Sequence, residues 1–377
     1  MLYQPPLPRE YIELDQTQII ERIAKAKQQL GKDLVILGHH YQSDDVIGFA
    51  DFIGDSLKLS QQAAATQAKY IIFCGVHFMA ESADVLSGGK ATVVLPHGLA
   101  GCSMAEMAPE DEISQALAEV SQVTSQRVIP ITYVNSSAAA KAITARAGGA
   151  CCTSSNVQNV FKWALSAAAD GGAGAEKIFA IPDQHLGRNT AISLGYKESD
   201  CVVYDPKAPE LGGLTAAQIK SAKFILWKGH CYVHQKFTPQ QVRNVRKIYP
   251  GIKVIVHPEC PHEVVSIADA SGSTEQIIQA VAKGQPHSKW AIGTESNLVN
   301  RLAKRHTDMF IRTLSDMPSL CVQMARIDLP HLLYSIEGIC RGLPANQVSV
   351  PPQIAQDARI ALERMIAIKA VTGMTEK

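Results

Sequence analysis

The chain has 377 residues, 46% apolar and 19% charged, with 36 basic and 35 acidic side chains and a formal charge of +1. That length predicts two or three domains with a large core, and the absence of a basic excess argues against nucleic acid as the main partner. No apolar run reaches the roughly 18 residues of a membrane span, and MLYQPPLPREYIELD has neither the basic nor the apolar stretch of a secretion signal, so a cytoplasmic protein with no membrane partner is expected.

Helical apolar spacing predicts a first helix over 16–30, stopped by Gly31. The apolar run LVILG reads as a strand buried on both faces. A helix near Ser56–Ala68, a strand Tyr70–Phe73, a helix near Met79–Ser87 and a strand Ala91–Leu95 follow. Glu110–Ser125 reads as a helix leading to a strand Val128–Tyr133, a helix Ala138–Ala147, a strand Ala150–Thr153, a helix Val157–Ala169 and a strand Lys177–Ile181. The segment CVVYDPKAPELGGLTAAQIKSA reads as an inserted turn or linker, because proline and Gly212-Gly213 punctuate it. Beyond it come helix Pro239–Ile248, strand Lys253–Val256, helix Thr274–Ala282, strand Trp290–Ile292, helix Asn297–Arg305, strand Met309–Arg312 and a last helix Pro352–Val371. Such alternation predicts an α/β protein with parallel sheets covered by helices.

One order of segments is written three times, and each copy ends in a cysteine. In the first copy Ser56, Gly75 and Cys102 follow His39 by 17, 36 and 63 positions; in the third, Ser273, Gly293 and Cys321 follow His257 by 16, 36 and 64. The middle copy runs from VIPITYVNS to FILWKGHCYV and ends at Cys231. The spacing predicts three pseudo-threefold-related α/β units, 1–109, 110–234 and 235–351, with helix 352–377 packing back on the first and a site at their common centre.

In parallel sheets ligands bind beyond the carboxyl ends of strands. Those loops hold His39, His40, Tyr41, Tyr133, Asn135, His257 and Glu259. Ser56, Ser154, Ser273 and Thr274 open the next helices, where a hydroxyl and free N–H groups suit an anion but also serve as simple caps. Cys74, Cys151 and Cys340 have core-like surroundings. For Cys102, Cys231 and Cys321, packing and metal ligation both stand, and Cys260 is a rival ligand. Three thiolates on one axis would suit three corners of a cubane iron–sulfur cluster, leaving the fourth iron open as a Lewis acid. No P-loop, dinucleotide fingerprint or C-x-x-C pair is present.

The segments GHHYQSDDVIGFADFIGDSLKLSQQA, GVHFMAESADVL, TYVNSSAAAKA, KGHCYVHQKFT and HPECPHEV resemble the quinolinate synthase family, from about Leu34 to the final helix. The resemblance implies three α/β domains around a [4Fe–4S] cluster held by Cys102, Cys231 and Cys321. It implies condensation of iminoaspartate with dihydroxyacetone phosphate, giving quinolinate, phosphate and water in NAD biosynthesis. It also implies a functional link to the enzyme that supplies iminoaspartate. The implied substrate residues are His39, Tyr41, Ser56, Tyr133, Asn135, Ser154, His257, Glu259 and Thr274, with His234 beside the cluster and Ser273 next to Thr274. Glu259 is assigned as a proton-transfer base, and Tyr41 and Tyr133 as acid/base or positioning groups. Where some relatives carry C-x-x-C-x-x-C, this chain has Ser315 and Pro318 ahead of Cys321, so a disulfide switch on that run is not available.

Two other classes remain at this stage. One is a zinc hydro-lyase or aldolase using His39, His40 or His257 with Cys260. The other is a non-enzymatic iron–sulfur sensor, which lacks a recognisable DNA-binding module.

Overall fold

The computed structural model describes residues 3–370 and 374–376. The chain divides into two units, Met1–Cys102 with Leu320–Pro352, and Ser103–Ser319 with Gln353–Lys377. The first unit holds one sheet and the second holds two.

In the first unit, β1 (Leu34–His39), β2 (Phe52–Gly54), β3 (Tyr70–Cys74) and β4 (Thr92–Val94) are parallel, in the order β4-β3-β1-β2. The short strand Gln347–Val348 adds antiparallel to β4. In the second unit, β5 (Val128–Tyr133), β6 (Ala150–Cys152), β7 (Lys177–Ile181), β8 (Cys201–Tyr204) and β9 (Phe224–Trp227) run in the order β6-β5-β7-β9-β8. The last sheet, β10 (Lys253–Val256), β11 (Ala270–Ser271), β12 (Lys289–Gly293) and β13 (Phe310–Thr313), has the order β13-β12-β10-β11, with Thr375–Glu376 antiparallel to β11. Setting β8 and the two antiparallel additions aside, each sheet repeats one order, 4-3-1-2 within its own copy. The α/β class and the threefold repetition read from the spacing are therefore present.

Three of the short strands, β1, β7 and β9, are buried at every residue, as expected where both faces of a sheet are covered. Local signals set the helix ends. Asp15 caps Gln16–Leu30 in a capping box with Gln18, and Thr238 does so with Gln241 ahead of Pro239–Ile248. In the second unit, Ile113, Ala116 and Val120 of helix Glu110–Val123 pack with Phe179, Ile225 and Trp227. A separate cluster joins Val242 and Val245 to Val254, Val256 and Val264. Full burial of such side chains stabilises by roughly 1.5–3 kcal/mol each, so these clusters fix where the strand ends lie.

Three features depart from the sequence reading. The presumed linker contains β8, paired in parallel with β9, and a helix Ala216–Ser221. Helices Gln184–Ser193 and Leu329–Cys340 were not expected. The last helix runs Pro352–Ala367, its expected end Val371 lying outside the described residues. It belongs to the second unit: Arg146 pairs with Asp357 at 2.6 Å, and Asn156 Nδ2 donates to Met365 O at 2.9 Å. No helix among the described residues is long and apolar enough to cross a membrane.

Candidate active site

In the first unit, β1 delivers His39 at its carboxyl end. The Tyr41 N–H donates to His39 Nδ1 at 3.2 Å, and the two rings meet edge-on with centroids 4.6 Å apart. Ser56 opens helix Ser56–Ala65, but Asp55 supplies the cap by accepting from Lys58 N at 2.9 Å, so capping does not use the Ser56 hydroxyl.

In the second unit, Tyr133, His234, His257 and Glu259 form one buried group. Tyr133 ends β5, and its Oη donates to Glu259 Oε1 at 2.5 Å. His234 lies in the single-turn helix Tyr232–Gln235; its Nδ1 is 2.8 Å from Glu259 Oε2 and its Nε2 is 3.1 Å from Thr294 Oγ1. The ring of His257 stacks on that of His234 with centroids 4.4 Å apart. The Glu259 N–H donates to His257 Nδ1 at 3.3 Å, the same turn that Tyr41 and His39 make in the first copy. That turn leaves Nε2 of each histidine to carry its proton.

Burial pushes the Glu259 carboxyl up, but the imidazoles of His257 and His234 and hydrogen bonds from His234 and Tyr133 outweigh it and hold it down at about 2. Burial drives His257 the other way, down to about 3. At neutral pH His257 is an uncharged imidazole, and the hydrogen bonds from His234 and Tyr133 are what favour the ionised form of Glu259.

The Asn135 Oδ1 is buried with no hydrogen-bond partner. Ser154 lines a cavity of about 100 Å³ with Asn189, Pro258 and Gln276. Ser273 is a capping residue: its Oγ accepts from Gln276 N at 3.3 Å and from Ser155 Oγ at 2.8 Å. Thr274, the first residue of the same helix, is buried.

Three supporting residues escaped the sequence reading. Thr294 follows β12 and partners His234. Asn189 donates from Nδ2 to Pro258 O at 2.8 Å and to Cys260 O at 2.9 Å, fixing the turn that carries Glu259. Asp183, just beyond β7, is buried with Oδ2 unpartnered, and burial and the Glu259 charge push its carboxyl well up. The segment carrying Asp183 touches the Cys231 loop: Gln184 N donates to Gly229 O at 3.0 Å, and a Cβ on Gly229 would meet Pro182 O at 2.3 Å. Glycine is required there by close approach.

Among the described residues the cysteines form no disulfide. Burial pushes Cys74 and Cys151 up to about 12 and Cys201 to about 11, and raises Cys152, Cys260 and Cys340. Cys260 is fully buried, its thiol donating to Gly293 O at 3.6 Å, which removes it as a ready ligand. Cys102, Cys231 and Cys321 are half-buried. Cys102 and Cys231 directly precede short helices, and the Cys321 carbonyl accepts from Ala325 N at 3.0 Å in the next turn. Accessible cysteines at turn starts fit a thiolate-held group better than the buried ones.

Parallel α/β sheets presenting an ionised carboxylate between phenol and imidazole groups beyond their strand ends define an enzyme equipped for proton transfer. Residues 21–367 match the profile of the family described as quinolinate synthetase A protein, NadA. The chain is 47% identical over 363 residues to a quinolinate synthase of Geobacillus thermodenitrificans, covering 96% of each. A Rhodopirellula baltica quinolinate synthase is 47% identical over 96% of this chain and 93% of its own, and one from Streptomyces coelicolor 48% over 93% and 88%. The chain belongs to the quinolinate synthase family of enzymes.

Proposed function

We propose that the protein condenses iminoaspartate with dihydroxyacetone phosphate, releasing quinolinate, phosphate and two waters. The observation carrying this reading is the buried Tyr133–Glu259–His234 group in a chain of this family. Closing a pyridine ring requires repeated proton removal, and the Glu259 carboxylate, fixed by Tyr133 on one oxygen and His234 on the other, is the acceptor placed for it. Tyr133 and His234 orient the carboxylate, and His234 offers a path for its proton toward Thr294. His257, neutral through burial, recognises an anion by an N–H rather than by charge. The Asn135 Oδ1 fits a ligand N–H or O–H, which both substrates offer. His39, Tyr41, Ser56, Ser154 and Thr274 complete the proposed substrate set, with Ser273 supporting Thr274 as its cap.

Cys102, Cys231 and Cys321 are the proposed ligands of a [4Fe–4S] cluster, on the family resemblance and their half-buried thiols. Such a cluster supplies a Lewis-acidic iron that eases loss of hydroxide. The reactive imine favours a functional link with the enzyme that makes it.

The test is an iron and acid-labile sulfide count on anaerobic protein, paired with a quinolinate assay. About four irons and quinolinate formation are expected, both lost in Cys231→Ala. A Cys231→Ala variant with a full cluster and wild-type turnover overturns the assignment. Zinc without iron or sulfide that is retained in Cys231→Ala favours the hydro-lyase or aldolase reading instead.

A further inference from the structure

We infer that the cluster-free protein binds one zinc ion on Cys231, His234 and Glu259, and that this zinc blocks cluster loading. One ligand atom from each of the three residues lies within 4.8 Å of the others. Cys231 is the N-cap of the single-turn helix that carries His234, and the His234 N–H donates to Cys231 O at 3.1 Å, so both ligands come from one tight turn of chain. Glu259 comes from the turn after β10 and points Oε2 at His234 Nδ1, 2.8 Å away.

The outer contacts favour a metal as well. A zinc-bound imidazole donates its other N–H to an oxygen, and a zinc-bound carboxylate has its second oxygen hydrogen-bonded. Here His234 Nε2 already faces Thr294 Oγ1 at 3.1 Å, and Glu259 Oε1 already accepts from Tyr133 at 2.5 Å. Thiolate, imidazole and carboxylate together suit Zn²⁺, with a fourth position left for water, and do not suit Mg²⁺ or Ca²⁺. On binding, Cys231 releases one proton to solvent and His234 moves its proton from Nδ1 to Nε2, so no redox partner is needed. Cys231 is half-buried, which gives the ion access.

Zinc binding does not rest on the proposed cluster; the exclusion of one by the other does, through their shared use of Cys231. Loaded protein retains only His234 and Glu259 for zinc, so sensitivity to zinc belongs to the cluster-free state.

The experiment titrates reduced, cluster-free, full-length protein with Zn²⁺ alone against a chromophoric chelator. One zinc per chain is expected. Cys231→Ser and His234→Gln weaken it by more than the ~10–100-fold that Thr294→Val costs by removing an outer contact. Thr294→Val leaves thermal unfolding of the zinc-free chain within about 3 °C of wild type. Cys102→Ser and Cys321→Ser leave zinc affinity unchanged. If either weakens zinc as much as Cys231→Ser does, the ion sits on the cysteine set and the inference falls. It falls equally if His234→Gln and Thr294→Val have no effect. Zinc-loaded wild type is then given iron and sulfide: no cluster forms until chelator is added. Cluster formation at full rate with zinc still bound overturns the exclusion. Failure of the cluster reading itself is separate, and appears as normal iron uptake by Cys102→Ser and Cys321→Ser.

Discussion

Tyr133 Oη and Glu259 Oε1 are 2.5 Å apart, although one residue ends a strand of the middle sheet and the other follows the first strand of the last sheet. This contact turns two separate strand ends into one acid–base group. Removing its centre isolates the chemistry from the fold. Glu259→Gln keeps the side-chain shape and can still accept from Tyr133. Turnover should fall by about 10²–10⁴, while Tm moves by less than about 3 °C. Steady-state quinolinate formation and thermal unfolding check this, and activity within about twofold of wild type removes the base role.

Asn189 holds the turn carrying Glu259 through Pro258 O, Cys260 O and His262 Nδ1. Asn189→Ala leaves buried carbonyls without a donor, a cost of about 2–4 kcal/mol in denaturant unfolding. Because the loosened turn displaces Glu259, kcat should drop more than KM rises. A loss of stability with unchanged kcat would show that the turn keeps its shape without Asn189.

Cys260 separates the two metal readings. Its buried thiol donates to Gly293 O, away from any ligand role. Cys260→Ala should keep iron content and activity and cost about 1 kcal/mol of stability. Loss of bound metal in this variant would restore Cys260 as a ligand.

Glu337 makes the fold of the first unit depend on pH. Burial raises its carboxyl, but hydrogen bonds from Arg22 (2.6 and 2.8 Å) and Tyr11 (2.8 Å) outweigh this and set it below the usual range. A carboxyl lowered by folding stabilises above its unfolded value near 4.3, and the gain is lost as pH falls through the folded value. Glu337→Gln should therefore cost about 1–2 kcal/mol at pH 7, allowing for the partial exposure of Arg22, with the gap to wild type closing below about pH 4. A gap that stays constant as the pH is lowered contradicts the ionic origin.

Much of the fold was legible because burial on both faces leaves a plain mark. LVIL, KIFAI and KVIV are short apolar runs, and helix Pro239–Ile248 has its stop and start written in Pro250 and Thr238. Helix Gln184–Ser193 was hidden by a glycine and a polar composition, and β8 by the proline and glycines after it. The partner of the last helix depends on two contacts, Arg146–Asp357 and Asn156 with Met365 O, which periodicity does not encode. Tyr133, His234, His257 and Glu259, expected from position and family resemblance, lie together in one buried group, whereas Thr294, Asn189 and Asp183 join its surroundings through distances that only folding supplies. The hydroxyl of Ser273 accepts from Gln276 N as a helix cap, a use that the capping-box pattern of Ser273 and Gln276 also spells out.

The shared strand order has a consequence for how three alike sheets coexist in one chain. Identical sheets expose identical borders, and a border with unpaired N–H and C=O groups recruits another strand. Each sheet is finished differently: Gln347–Val348 lies against β4, β8 against β9, and Thr375–Glu376 against β11. Two finishing strands come from late in the chain and one from an insertion. Each copy thereby acquires a border unlike those of its siblings, which discourages one copy from pairing with the wrong neighbour during folding or with another molecule afterwards.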